Sequence, residues 1–257
     1  MTEQPMVSIR NVGLVLGGHQ VLSNISCDFA GGQIHGIIGP NGAGKSSLLR
    51  TVCRIWEPRA GRIALAGKDQ RKFDRRTLSK QVTFVPQDTQ VDFSILVHDF
   101  VGMGRHAHLK RLQWLGRRDE EIIQKSLKIT GTLPFRDRVI NELSGGECQM
   151  VSIARALATE APIILLDEPT SALDTRHKLD IMNLLTGLRN EGKTILMNIH
   201  DLDLARRFCD TITMLRRGRI YYHGTVCRAF TQENMLEVFD VGVEEGHSAH
   251  GVSLLFF

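Results

Sequence analysis

The 257-residue sequence predicts an α/β fold, a core of buried strands and helices that carries an antiparallel β subdomain and an inserted α-helical subdomain. Three observations predict it. Two continuous apolar runs, "PIILLDE" and "KTILMNIH", have the length and composition of strands buried on both faces. A third, "IHGIIG", runs through the glycine-rich "PNGAGKSS" into "LLRTVCRIW", so that strand, loop and helix follow in direct succession. From about 94 to 160 the apolar residues recur instead at i, i+3 and i+4, the period of helices.

The elements follow in order. The opening "MVSIRNVGLVLGGHQVLSNISCDFAGGQ" alternates apolar and polar residues around a Gly-Gly turn, which predicts antiparallel strands. "GRIALAG" and "QVTFVPQ" read as further strands, with "KDQRKFDRR" as a basic loop between them. Within the helical stretch, "SILVHDFVGMG", "DEEIIQKSLKITG" and "GECQMVSIARALA" each predict a helix. "RHKLDIMNLLTGLRNEG" is a helix with a glycine stop, and "QENMLEVFDV" a short helix before "GVSLLFF". No internal repeat or low-complexity segment interrupts the chain. The expected organisation is one domain over 1–230 and a short extension over 231–257.

At 42% hydrophobic and 23% charged, the composition is globular. The formal net charge of +4 is spread out rather than gathered in a tract. It argues weakly for nucleic acid and equally for an anionic membrane surface. Five cysteines lie far apart without a C-x-x-C pair, which implies neither a disulfide framework nor a zinc site and predicts a reducing cytosol. The start "MTEQPMVSIRNVG" does not read as a secretory leader, and no stretch approaches the roughly 18 apolar residues of a membrane span. Membrane association is therefore expected to go through a partner protein.

"GPNGAGKS", Gly39 to Ser46, satisfies G-x-x-x-x-G-K-[ST] after a strand and at the opening of a helix. Such a loop lets backbone N–H groups converge on phosphates, with Lys45 reaching the β/γ-phosphates and the Ser46 hydroxyl ligating Mg²⁺. Asp167 ends the strand of "IILLDE", placed for a magnesium shell, and Glu168 beside it for polarising water. Taken alone, the pair also reads as solvated loop charges. His200, after "KTILMNI", reads as a structural hydrogen-bonder or a catalytic group, and Gln87 in "FVPQD" as a turn residue. Ser144, Gly145 and Gly146 open a helix and expose its positive N-terminus, as half of an anion site would. They equally fit an ordinary cap, with Glu147 completing a capping box.

Taken in this order, with "SALD" following "IILLDE", these segments resemble the ATP-binding cassette (ABC) ATPase family over nearly the whole chain. The resemblance implies a P-loop NTPase core that binds ATP with Mg²⁺. It makes Gly39, Pro40, Asn41, Gly42, Ala43, Gly44, Lys45, Ser46 and Ser47 the Walker A loop and Gln87 the Q-loop. "LSGGE", with Ser144, Gly145, Gly146 and Glu147, becomes the signature, Asp174 the D-loop aspartate, Glu168 the catalytic base and His200 the switch histidine. Magnesium would be held by Ser46, Gln87 and Asp167, directly or through water. Members dimerise head to tail, so the signature of one copy is expected to cap the γ-phosphate on the P-loop of the other, no anion being supplied to it in cis. Two departures stand out. Glu147 stands where the family most often has Gln, and a glutamate at this position resembles the vitamin B12 importer ATPases. Leu16 falls where an aromatic usually stacks on adenine, which predicts weaker stacking there.

"GMGRHAHL" resembles the Gly-Arg-x-Pro-His segment of ATPases that drive uptake of iron-siderophores, haem and cobalamin, with Ala107 in place of the proline. In those systems the segment faces the permease. Arg105 is thus expected to face a partner, while a plain basic loop, or a metal pair formed by His106 and His108, remain alternatives. The implied protein is the ATPase subunit of a metal-chelate importer, with the ATPase of another transporter branch (an exporter or an amino-acid importer) or a non-transport cassette ATPase acting on nucleic acid as the alternatives. Its partners would be a second copy, a transmembrane permease and, indirectly, a substrate-binding protein, at the cytoplasmic face of the inner membrane. Nucleic acid is not an expected partner, because coiled-coil arms, zinc modules and a second cassette are not seen in the sequence.

Overall fold

A computed structural model describes residues 4–89, 93–110, 112–171, 173–248 and 251–256; Ala172 of "SALD" and the final Phe257 fall outside them. Its centre is a six-stranded sheet in the order β10-β9-β3-β8-β7-β6, built from Arg219–Thr225, Thr211–Arg216, Ile34–Ile38, Thr194–Asn198, Ile163–Asp167 and Val82–Val85. β3, β6, β7, β8 and β9 run parallel, and β10 pairs antiparallel with β9. The apolar runs are continuous because both faces are covered. Ile164, Leu166, Ile195 and Met197 face one hydrophobic core, while Ile163, Leu165 and Leu196 face another.

The second core is closed by a four-stranded sheet, β2-β1-β4-β5, formed by His19–Phe29, Val7–Leu16, Ala60–Leu65 and Lys68–Asp69. β1 and β2 pair antiparallel about the Gly17-Gly18 turn, as the alternation predicts. The expected basic loop after β4 is corrected: it contains β5, a 3-10 turn over Gln70–Lys72 and α2, Arg75–Ser79. Asp74 caps α2 by accepting from Thr77 N at 2.6 Å, a start signal that a run of cations obscures.

α1, Lys45–Val52, follows the glycine loop. Three further helices, α3 (Val97–Gly102), α4 (Arg117–Ile129) and α5 (Gly145–Ala158), surround a core of their own that includes Phe100, Ile123, Leu127 and Val151. α6 (Thr175–Asn190), α7 (Leu202–Phe208) and α8 (Gln232–Phe239) belong to the first core, where Met235 and Val238 of α8 are buried. The backbone then forms a hairpin, β11 (Val243–Ser248) with β12 (Gly251–Phe256). Among the described residues no helix is long and apolar enough to cross a membrane.

Candidate active site

The glycine loop leaves β3 at Gly39 and enters α1 at Gly44. Gly39 has φ +149°, and a Cβ there would lie 2.2 Å from the Leu215 carbonyl oxygen, so only glycine lets the chain turn here. Gly44 caps α1 at φ +100°, with no side chain accepting from the first turn. Lys45 folds back across the loop, its Nζ donating to the Gly39 carbonyl at 2.8 Å and the Pro40 carbonyl at 3.2 Å. Burial lowers its pKa, against the opposing pull of Glu168 and Asp167. The Gly39 and Pro40 carbonyls thus hold a desolvated ammonium beside an uncapped helix start.

Ser46 Oγ donates to Asp167 Oδ1 at 2.8 Å, joining the loop to the end of β7. Asp167 is 1% exposed, and the Arg50 guanidinium stands 3.8 Å from its Oδ2. The next residue, Glu168, is bracketed: Gln87 Nε2 donates to Oε2 at 2.7 Å, and His200 Nε2 contacts Oε1 at 2.6 Å. Glu168 itself sits at φ +51°, a left-handed conformation uncommon for a glutamate. Four strand ends of the parallel sheet thereby converge, as binding crevices of such sheets do. The oxygen-rich set of Ser46, Asp167 and Gln87 matches a hard divalent cation.

Asn198 escaped the sequence reading. It ends β8 fully buried, and its Nδ2 donates to Asp167 Oδ1 and, at 3.3 Å, to Ser46 Oγ. The available signal was an amide inside the otherwise apolar "ILMNI".

Ser144 caps α5, with Glu147 completing the box. The expectation of no anion in cis is corrected, because the Glu147 carboxylate accepts from Ser144 N at 2.8 Å and from Ser144 Oγ at 2.7 Å. These bonds hold its carboxyl below the ordinary glutamate range. The neighbours of this turn are on α6: a Cβ on Gly146 would meet His177 Cδ2 at 2.9 Å, and Asp174 caps α6 by accepting from His177 N and Nδ1, both at 2.9 Å. Leu16 is half-buried at the end of β1, paired with His19 and packed against the second core.

Arg105 does not face a partner. It is 2% exposed, with Nε donating to Asp119 at 2.9 Å and Nη1 to the Ala158 carbonyl at 2.7 Å and to Glu160 at 2.8 Å. Its partners are 14 and more residues away, which local sequence cannot reveal. His106 is exposed, whereas His108 Nε2 is engaged by the Thr159 carbonyl at 2.9 Å. Among the described residues no group of three His, Cys, Asp or Glu is arranged to hold a metal ion.

An uncapped helix start after a parallel strand, with a lysine over it and a Ser–Asp pair beside it, defines a P-loop nucleotide-binding protein. The profile of the ABC transporter family matches residues 22–171. The chain is 36% identical over 239 residues to the iron(3+)-hydroxamate import ATP-binding protein FhuC of Bacillus subtilis, covering 93% of this chain and 89% of that protein. It is 35% identical over 241 residues to the cobalamin import ATP-binding protein BtuD of Halobacterium salinarum, covering 93% of this chain but only 60% of that protein's length. Among solved structures, an inward-facing ABC transporter of metal-chelate type superposes with TM-score 0.86 at 26% identity, over 99% of this chain and 97% of that one. A bacterial ABC transporter cassette solved as a dimer superposes with TM-score 0.75 at 30% identity, over 86% and 99%. The chain belongs to the ABC transporter family.

Proposed function

We propose that the chain is the ATP-hydrolysing subunit of an ABC importer that powers uptake of a metal chelate, an iron-siderophore, haem or cobalamin, through a partner permease. One observation carries the chemistry: Glu168 is bracketed by Gln87 and His200, one residue from the aspartate that Ser46 touches. Loop amides from Gly39 to Ser47 and the Lys45 ammonium hold the β/γ-phosphates. Ser46, Asp167 and Gln87 are the groups that would hold Mg²⁺, which supplies charge neutralisation when bound. Glu168 orients a water and takes its proton as the water oxygen bonds to the γ-phosphorus and the bond to the leaving ADP oxygen breaks. His200 keeps the Glu168 carboxylate in line, and Leu16 flanks the base.

In this reading a second copy supplies Ser144, Gly145, Gly146 and Glu147 over the γ-phosphate, with Asp174 at the shared face. The permease docks in a groove of about 630 Å³ whose wall includes Arg76, Phe84, Met103, His106 and Ala107. That places the subunit peripherally at the cytoplasmic face of the inner membrane, with a substrate-binding protein acting only through the permease. The test is Glu168→Gln, which is expected to keep Mg·ATP binding, abolish turnover and accumulate an ATP-stabilised dimer. Wild-type turnover in this variant would remove Glu168 from the reaction.

A further inference from the structure

Asn198 bridges two of the groups just assigned to the cation, and no step of that reaction uses it. It lies in register with Asp167 on the neighbouring strand and with Ile37 on the other side. Nδ2 donates to Asp167 Oδ1 and Ser46 Oγ, while Ser46 Oγ donates to the same Oδ1, so the three side chains close a triangle of hydrogen bonds. The amide orientation is set by chemistry, since turning it over would place its oxygen against a carboxylate oxygen. Asn198 Oδ1 is left buried without a hydrogen-bond partner among the described residues. A buried acceptor without a donor is destabilising, so packing alone does not account for an amide at this place.

We propose that Asn198 is a positioning residue for the divalent cation, holding Asp167 and Ser46 together so that their oxygens are assembled before the cation arrives. The proposal rests on the reading of this crevice as a Mg·ATP site. Ser46 Oγ can offer a lone pair to a cation while its proton stays directed at Asp167 Oδ1, because a hydroxyl oxygen carries two lone pairs and the Asn198 amide takes only one. Nδ2 keeps its hold on Asp167 Oδ1 and stops the carboxylate from rotating. Asp167 Oδ2 remains available to the cation or its water shell. The unpartnered Asn198 Oδ1 is an acceptor of the kind that a metal-bound water requires.

The experiment titrates Mg²⁺ into full-length protein with a fluorescent ATP analogue, and separately counts bound Mn²⁺ by electron paramagnetic resonance. Asn198→Ala and the better-filled Asn198→Leu are compared with Asn198→Thr, which keeps a donor. The half-saturating cation concentration is expected to rise about tenfold or more in the Ala and Leu variants and to be partly restored in Thr, with nucleotide affinity in chelator unchanged. An unchanged cation titration in both the Ala and Leu variants overturns the proposal. So does equal weakening of nucleotide binding with and without cation, the mark of a merely structural residue. Wild-type protein that binds nucleotide without any dependence on cation would overturn the reading of the crevice itself, and this proposal with it.

Discussion

Two helices begin in glycine-rich turns and are finished differently. α1 starts at Gly44 with no side-chain cap and no acid in its first turn. α5 starts at Ser144, whose amide and hydroxyl are both taken by the Glu147 carboxylate. A helix N-terminus attracts an anion; α1 leaves that place to a ligand, and α5 fills it from its own first turn. The glycines are common to both, so the presence or absence of a folded-back carboxylate is what separates an open anion site from a closed one. If α5 takes a phosphate from a second copy, Ser144 must turn away from Glu147 as two anions approach.

The largest expected effect breaks the open site. Gly44→Ala puts a side chain at φ +100° with its methyl 2.8 Å from Leu22 Cδ2 and 3.1 Å from the Val21 carbonyl oxygen. A loss on the order of 2 kcal/mol by chemical denaturation is expected, together with loss of nucleotide binding. Gly145→Ala, with nothing within 4 Å of the added methyl, is expected to fold as wild type and serves as the control. Equal stability of the two variants would erase the difference between the helix starts.

Mixing Lys45→Ala subunits with Ser144→Arg subunits asks whether the closed site opens in trans. One site of each mixed dimer then combines both lesions and the other has none. Trapping of labelled nucleotide near half the wild-type level is expected once the mixed dimer is shown to form. Trapping no higher than in either mutant homodimer would leave Ser144 as a helix cap alone.

Glu147→Gln keeps the capping box and removes its charge. Stability should change by less than about 1 kcal/mol, while ATP-dependent dimerisation tightens severalfold because one anion no longer opposes the incoming phosphate. Weaker dimerisation, read by sedimentation, would count against competition between carboxylate and phosphate. The smallest effect is on acidification. Bonds from Ser144 hold the Glu147 pKa below its ordinary 4.5, so its contribution is present above 4.5 and is lost as pH falls through the lower folded-state value. Protection of the Ser144 amide against exchange, relative to its intrinsic rate at each pH, should fall in that acid range, while the start of α1, which lacks such a group, is unmoved by this route.

What could be read from the sequence was what lies close together in it. The loop from Gly39 to Ser46, the Asp167–Glu168 pair and the helical periods near 94–160 each declare themselves within a dozen residues. Gln87 and His200 are lone side chains whose meeting at Glu168 depends on strand order, which resemblance supplied and local pattern did not. Asn198 was hidden because its partners, Ser46 and Asp167, come from a helix start and a different strand. Arg105 was misread for a related reason: an arginine in a basic stretch reads as exposed unless Asp119 and Glu160 are known to enclose it. Glu147 was visible as a capping residue, but that its charge occupies the place of a ligand emerges only from the bonds it makes.

Arg105 also has a mechanical consequence. Its guanidinium grips the last carbonyl of α5 and the first turn of α4, directly beneath the His106–Ala107 turn. The fourteen residues of α5 form a rod about 21 Å long with Arg105 clamped to one end and Ser144 at the other. A helix hardly shortens under load, so a push on that turn travels along the rod instead of being absorbed in side-chain motion. If that turn were displaced, the helical insert would work as a rocker arm, with Ser144 at the far end of α5 from the Arg105 clamp.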